Sequence, residues 1–243
     1  VKRSLTIAFL LLALLTRTVV VAVTDDFQSG IEAYNAGRYQ DAVKEFRTVA
    51  SRQLSSGALL NLGNAQWKCG RTGDAIIAWE QSLWLNPFDH AAANNLRFAR
   101  ETAQLEAPEL TWYEITSGWL PMNWWAWITG FSLWLAVGAL VLPGVLRWRR
   151  ATWPQAVAAL GFGLFLLCLP AHLGTVTRIN LGFVLEKETA LRLTPTADGE
   201  IVTRLASGDP IRQMRTRGKY VLIRTHNSIG WVRADQIGLI RSR

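Results

Sequence analysis

The sequence is poor in the residues that carry out chemistry. It has two cysteines, two methionines and three histidines in 243 residues. Cys69 and Cys168 stand far apart, and Cys168 falls inside an apolar run, so there is neither a disulfide framework nor a Cys-x-x-Cys centre. No His-Glu-x-x-His occurs, and no glycine-rich loop closes on Lys-Ser or Lys-Thr to cradle phosphates. His90, His172 and His226 are scattered, with no acid, base and nucleophile grouped by spacing. The expectation is a protein with no catalytic residues, no metal and no cofactor. Acids are also missing from residues 118–182, which points away from a water-exposed surface there.

What is abundant is apolar. Half of the chain is hydrophobic, 18% is charged and twelve residues are tryptophan, a composition that excludes intrinsic disorder and points to lipid contact. The formal charge of +8 suggests nucleic acid when taken as one number. Divided along the chain it does not. Residues 24–117 carry eight bases and twelve acids, whereas residues 183–243 carry eleven bases and six acids. No polybasic run with interleaved aromatics appears, so no nucleic-acid partner is expected.

Lys2 and Arg3 precede an uncharged stretch from Leu5 to Leu15, followed by Val20, Val21 and Ala22. That layout is a secretory signal over residues 1–22, with cleavage after Ala22 or, given Arg17, retention as an uncleaved anchor. Val1 directly before the charged region fits a non-standard start codon. Further on, 32 residues between Glu114 and Arg147 and 27 between Arg150 and Arg178 carry no charge. Roughly 20 apolar residues cross a bilayer, so spans are expected at 124–146 and 153–174. Eight of the twelve tryptophans, among them Trp112, Trp119, Trp124 and Trp153, fall at or around these spans, as interfacial indoles do. The short connection holding Arg147, Arg149 and Arg150 makes the hairpin tip cytoplasmic by the positive-inside rule. Both flanking domains then lie on the exported side of the inner membrane, in agreement with the signal.

Residues 24–106 contain a repeat. Gly30, Tyr34, Gly37, Arg38, Asp41, Ala42 and Phe46 recur 33 residues later as Gly63, Trp67, Gly70, Arg71, Asp74, Ala75 and Trp79. Each unit reads as helix, turn at Gly-Arg, and second helix with an Ala and aromatic packing pair. A capping helix from about Asp89 to Gln104 follows, with Asp89 as N-cap and Ala92, Leu96 and Ala99 inward. Leu62-Gly63, Ala75, Trp79 and Pro87 resemble the tetratricopeptide repeat. That resemblance implies a concave groove for an extended peptide, with Tyr34, Asn61, Asn64 and Lys68 facing it. Asparagine both donates to and accepts from a peptide backbone, and Lys68 meets a carboxylate. A plain solvated helix face is the competing reading. Two units and a cap make a small core that a partner or the membrane surface would complete.

After Arg178 come short β-rich runs at Thr189–Leu193, Ile201–Leu205, Ile211–Met214, Tyr220–Thr225, Ile229–Arg233 and Gly238–Ile240, divided by turn residues. They suggest a small barrel over 183–243. Leu191-Arg192, Pro195, Leu205, Gly208, Tyr220-Val221 and Gly230-Trp231-Val232 resemble the bacterial SH3-like domain. This resemblance implies a peptide or cell-wall ligand face, with Tyr220 and Trp231 as its aromatics; Trp231 serves equally as a core residue.

The fold class expected is a multidomain membrane protein: all-α tetratricopeptide-type repeats, a two-helix transmembrane hairpin and an all-β SH3-like barrel. That order resembles the BatE-like proteins of the bacterial aerotolerance operon group. The resemblance implies a non-enzymatic scaffold in the envelope, working with membrane-anchored von Willebrand A-domain proteins and a MoxR-type ATPase in stress tolerance or assembly. The alternative is a cell-wall sensor whose barrel binds peptidoglycan. The opposite charges of the two exported domains also suggest a closed form held by their attraction.

Overall fold

The computed structural model describes residues 26–145 and 152–240. The export signal expected over residues 1–22 and the arginine-rich connection expected as the hairpin tip lie outside the described residues. The chain is helical up to Arg178 and forms an antiparallel seven-stranded sheet thereafter.

Helix α1 covers residues 26–35, and α2 (Tyr39–Arg52), α3 (Ser56–Lys68), α4 (Thr72–Leu85) and α5 (His90–Ala103) follow it. The repeated glycines explain the repeated turns. Gly37 and Gly70 have φ of +75° and +72°, a conformation only glycine enters without strain. In each turn the following arginine N–H reaches back five residues, Arg38 to Ala33 O at 2.9 Å and Arg71 to Gln66 O at 3.0 Å. The glycine N–H donates to Tyr34 O or Trp67 O. This pair of bonds satisfies the last carbonyls of a helix and fixes the angle at which the next one leaves. On α2, Ala42, Val43, Phe46 and Val49 fall on one face and are buried. Helix α5 starts as expected, with the Asp89 carboxylate accepting from the Ala91 and Ala92 N–H groups at 3.1 Å. Ala92, Leu96 and Ala99 are its buried residues.

Two apolar helices come next, α7 (Met122–Val145) and α8 (Trp153–Arg178), each long and apolar enough to cross a membrane. They pack on each other through small residues: a Cβ on Gly161 would lie 3.0 Å from the Ala136 nitrogen and Ser132 oxygen. The spacing of charges places the end of the second span at residue 174, but the helix runs on to Arg178. A further short helix, α6 (Trp112–Ser117), precedes them. Six residues give no periodicity to read, so it is absent from the sequence pattern.

The strands are β1 (Leu181–Val184), β2 (Thr189–Arg192), β3 (Ile201–Leu205), β4 (Pro210–Arg217), β5 (Tyr220–Arg224), β6 (Ile229–Arg233) and β7 (Ile237–Leu239). Their order across the sheet is β3-β2-β6-β5-β4-β1-β7. One buried cluster draws a residue from every strand, including Val184, Leu191, Leu205, Ile211, Ile223, Val232 and Ile237, so the sheet curls around a single interior. Strand β1 shifts the start of this unit from 183 to 181. Its four residues are all buried, and a continuous apolar run directly after an apolar helix carries no alternation to mark it.

The two water-facing parts are not separate. Ala75, Ile76, Ile77, Trp79, Trp84 and Leu96 of the helices share a cluster with Leu181, Phe183 and Ile240 from the sheet side. At the seam, a Cβ on Gly73 would lie 2.1 Å from Val184 O, and the Gly73 N–H donates to Ser207 Oγ at 2.9 Å. The sheet therefore completes the short repeat core within the same chain, in the place where a partner or the lipid surface was expected. Among the described residues, no ion pair joins α1–α5 to the sheet. The seam is apolar. Burying a single Ile contributes about 1.5–3 kcal/mol, against about 0–1 for an exposed ion pair, so opposite net charges are not what closes it.

Candidate functional site

The second helix of the second unit, α4, packs on β1 and β7. Between α1, α3 and α5 lies an open cavity of ≈ 280 Å³. Its lining is Tyr34, Asn64, Trp67, Lys68, Trp79, Asn95 and Phe98. Three of the four residues expected on the groove meet there. Asn61 does not; its Nδ2 donates to Gly57 O one turn back, at 3.1 Å, and it lies off the cavity.

Asn64 has a structural task as well. Its Oδ1 accepts from Trp79 Nε1 at 3.0 Å and from Asn95 Nδ2 at 2.8 Å. The Trp79 indole is buried, and an unpaired buried donor is costly, so Asn64 ties α3 to α4 and α5 while facing the cavity. The ring of Trp67 sits 6.0 Å from that of Trp79 and 6.0 Å from that of Phe98, forming an aromatic wall. Phe98 is exposed at its outer end. Lys68 is exposed beside it and forms no ion pair among the described residues. The combination offers an aromatic surface, amide groups and a cation over one cavity, which suits a peptide carrying an apolar side chain and a carboxylate.

Trp67 was visible in the sequence as the counterpart of Tyr34. Asn95 and Phe98 were not, because the last helix reads as a cap by its inward face, and nothing in its spacing marks the face toward the cavity.

On the sheet, Tyr220 and Trp231 both lie on the outer face. Val221, Ile223 and Val232 alternate with them and point inward. Trp231 is opposite Leu222 on one side and Arg192 on the other, and Tyr220 is opposite Arg217 and Arg233. Trp231 is thus half-buried on the exterior rather than a core residue. Arg233 is engaged by Asp235, while Arg215 and Arg217 form no ion pair among the described residues.

A larger cleft of ≈ 510 Å³ separates the 106–113 connection from β4 and β5. Its charges are largely spent on holding the chain together. Glu109 pairs with His226, and Glu114 receives both guanidinium nitrogens of Arg212, at 2.7 and 3.0 Å. Burial pushes the Glu114 carboxyl up, but hydrogen bonds from Arg212, from the Thr111 N–H and from the Thr177 and Thr111 hydroxyls outweigh it and hold the group at about 2. Among the described residues, no three His, Cys, Asp or Glu side chains are placed to share a metal ion. Cys69 and Cys168 are both free thiols.

No family model matches the chain, and no curated protein matches it significantly in sequence.

Proposed function

We propose that the protein is a non-enzymatic membrane-held adaptor that captures protein segments in the groove between α1, α3 and α5. The observation that carries this reading is the cavity itself. It gathers Trp67, Phe98, Asn64, Asn95 and Lys68 with no lining residue drawn from a strand, so docking of the sheet leaves it open. On this reading the helical units are tetratricopeptide repeats and the curled sheet is an SH3-like barrel. Helices α7 and α8 cross the inner membrane with both water-facing parts on the exported side. The order of parts resembles the BatE-like proteins, which makes membrane-anchored von Willebrand A-domain proteins and a MoxR-type ATPase system the first partners to test. Co-purification from solubilised membranes tests the reading. Partners that accompany the wild-type protein are lost from a Lys68→Glu variant of equal thermal stability; a Lys68→Glu protein that keeps every partner removes the groove from the account.

A second reading rests on a different observation, Tyr220 and Trp231 sharing the outer sheet face with Arg192, Arg217 and Arg233 as their cross-strand neighbours. It makes the protein a wall sensor that binds peptidoglycan there. Retention of the full chain on purified wall, lost on Trp231→Ala, favours the sensor.

A further inference from the structure

Helix α6 is built inside out. Glu114 and Ser117 are 0% and 3% exposed, whereas Trp112, Ile115 and Trp119 are 65%, 53% and 64% exposed. At 3.6 residues per turn Trp112 and Ile115 share one face and the two polar side chains the opposite face, and exposed Trp119 follows in the turn just beyond the helix end. A surface helix in water has the reverse arrangement. The inner face is fixed by specific bonds: the Arg212 guanidinium binds Glu114, the Ser117 hydroxyl donates to Glu114 O at 2.6 Å, and the Trp125 indole N–H donates to Ser117 O at 2.9 Å. Gly174 in the last turns of α8 lets α6 approach so closely that a Cβ there would lie 2.1 Å from Tyr113 O. The helix cannot roll over to hide its tryptophans without breaking the Glu114–Arg212 pair.

We infer that α6 lies in the plane of the membrane interface, with Trp112, Ile115 and Trp119 entering the boundary between headgroups and acyl chains. Two observations select lipid as the occupant of this face. It is continuous with the spans, being packed against the end of α8 and joined to Met122 of α7 by only residues 118–121. It also carries two indoles and an aliphatic chain with no charge, the composition favoured at that depth. The consequence is a seat. Through Glu114 the sheet is bound to α6, and through Trp84, whose ring lies 5.0 Å from the Arg178 guanidinium and whose N–H points to Met122 Sδ, the helical part is bound to the ends of both spans. The groove is then held at a fixed attitude to the bilayer rather than swinging on a tether.

The inference rests on α7 and α8 crossing a bilayer, and the experiment separates the two. In a Cys69→Ala, Cys168→Ala background the full chain is placed in phospholipid nanodiscs with a nitroxide at a single new cysteine: Ile115→Cys, Leu164→Cys within α8, or Asp198→Cys in the exposed turn between β2 and β3. Collision with oxygen and with a water-soluble nickel chelate is measured at each. At position 115 we expect oxygen collision several-fold above that at 198, and chelate collision several-fold below it, as at 164. If 164 behaves as lipid-exposed and 115 behaves as 198 does, the seat is wrong while the spans stand. If 164 itself meets the chelate, the spanning reading fails and the seat with it.

Discussion

Gly63 lies directly beneath Trp79: a Cβ on Gly63 would come within 2.5 Å of the indole Nε1. Thirty-three residues earlier Gly30 stands in the same relation to Phe46, 2.7 Å from its ring edge. In both units the missing side chain is what lets the second-helix aromatic close over the first helix. Overpacking a closed core costs about 1–3 kcal/mol. Gly63→Ala should lose stability in that range by chemical denaturation, because Trp79 is pinned by bonds to both Leu60 O and Asn64 Oδ1. Gly30→Ala should lose less, since Phe46 has no such bond and its ring can tilt.

The apolar seam between α4 and the sheet predicts a single rigid body that salt does not open. Spin labels on exposed Lys44 and Asp198 should give one narrow distance, unchanged from low to molar salt. Ile76→Asp places a carboxylate among Phe183, Leu181 and Ile240 and should broaden that distribution at every salt concentration. A distribution that widens in salt for the wild-type chain would instead restore electrostatic closure.

Glu114 and Arg212 make the sheet's attachment sensitive to acid. The carboxyl is lowered from 4.5 to about 2 in the folded protein, so its contribution is complete above the unfolded value and disappears as pH falls from about 4.5 through 2. The shift corresponds to about 3 kcal/mol as an order of magnitude. Glu114→Gln should be destabilised by several kcal/mol at neutral pH, since it leaves the Arg212 cation facing a neutral amide. Its stability should also be flatter than the wild type's across that acid window, which denaturation at a series of pH values measures.

Asn64 is a poor probe of the groove, because Asn64→Ala deprives both Trp79 Nε1 and Asn95 Nδ2 of their acceptor and should cost about 1–3 kcal/mol. Lys68 is the cleaner one. Being exposed and without an ion pair among the described residues, it should tolerate Lys68→Glu within about 0.5 kcal/mol, so any lost binding reads the groove directly.

The helical units were legible because their constraints are local. A glycine at positive φ and an aromatic over a glycine leave marks at fixed spacing, and both recur where the 33-residue offset puts them, while the aspartate N-cap at Asp89 marks the start of the last helix. The alternating strands were legible for the same reason. Strand β1 and helix α6 were not: β1 is apolar on both faces, and α6 is six residues long with its polarity reversed. What makes sense of both is a neighbour far along the chain, Ile76 and Ile77 for β1 and Arg212 for α6. The cavity was legible in the same measure. Tyr34, Asn64 and Lys68 followed from helix faces, whereas Phe98 and Asn95 entered only once α5 was folded beside α3. Asn61 was misplaced because one turn along a helix is enough to leave a cavity of this size.

The measurement that bears most directly on the adaptor account is photocrosslinking in intact cells, with a photoreactive residue placed at Phe98 in the groove and, separately, at Trp231 on the sheet. The account predicts discrete protein adducts from position 98 that vanish when Lys68→Glu is added. Adducts confined to position 231, with position 98 silent in the folded protein, would contradict it.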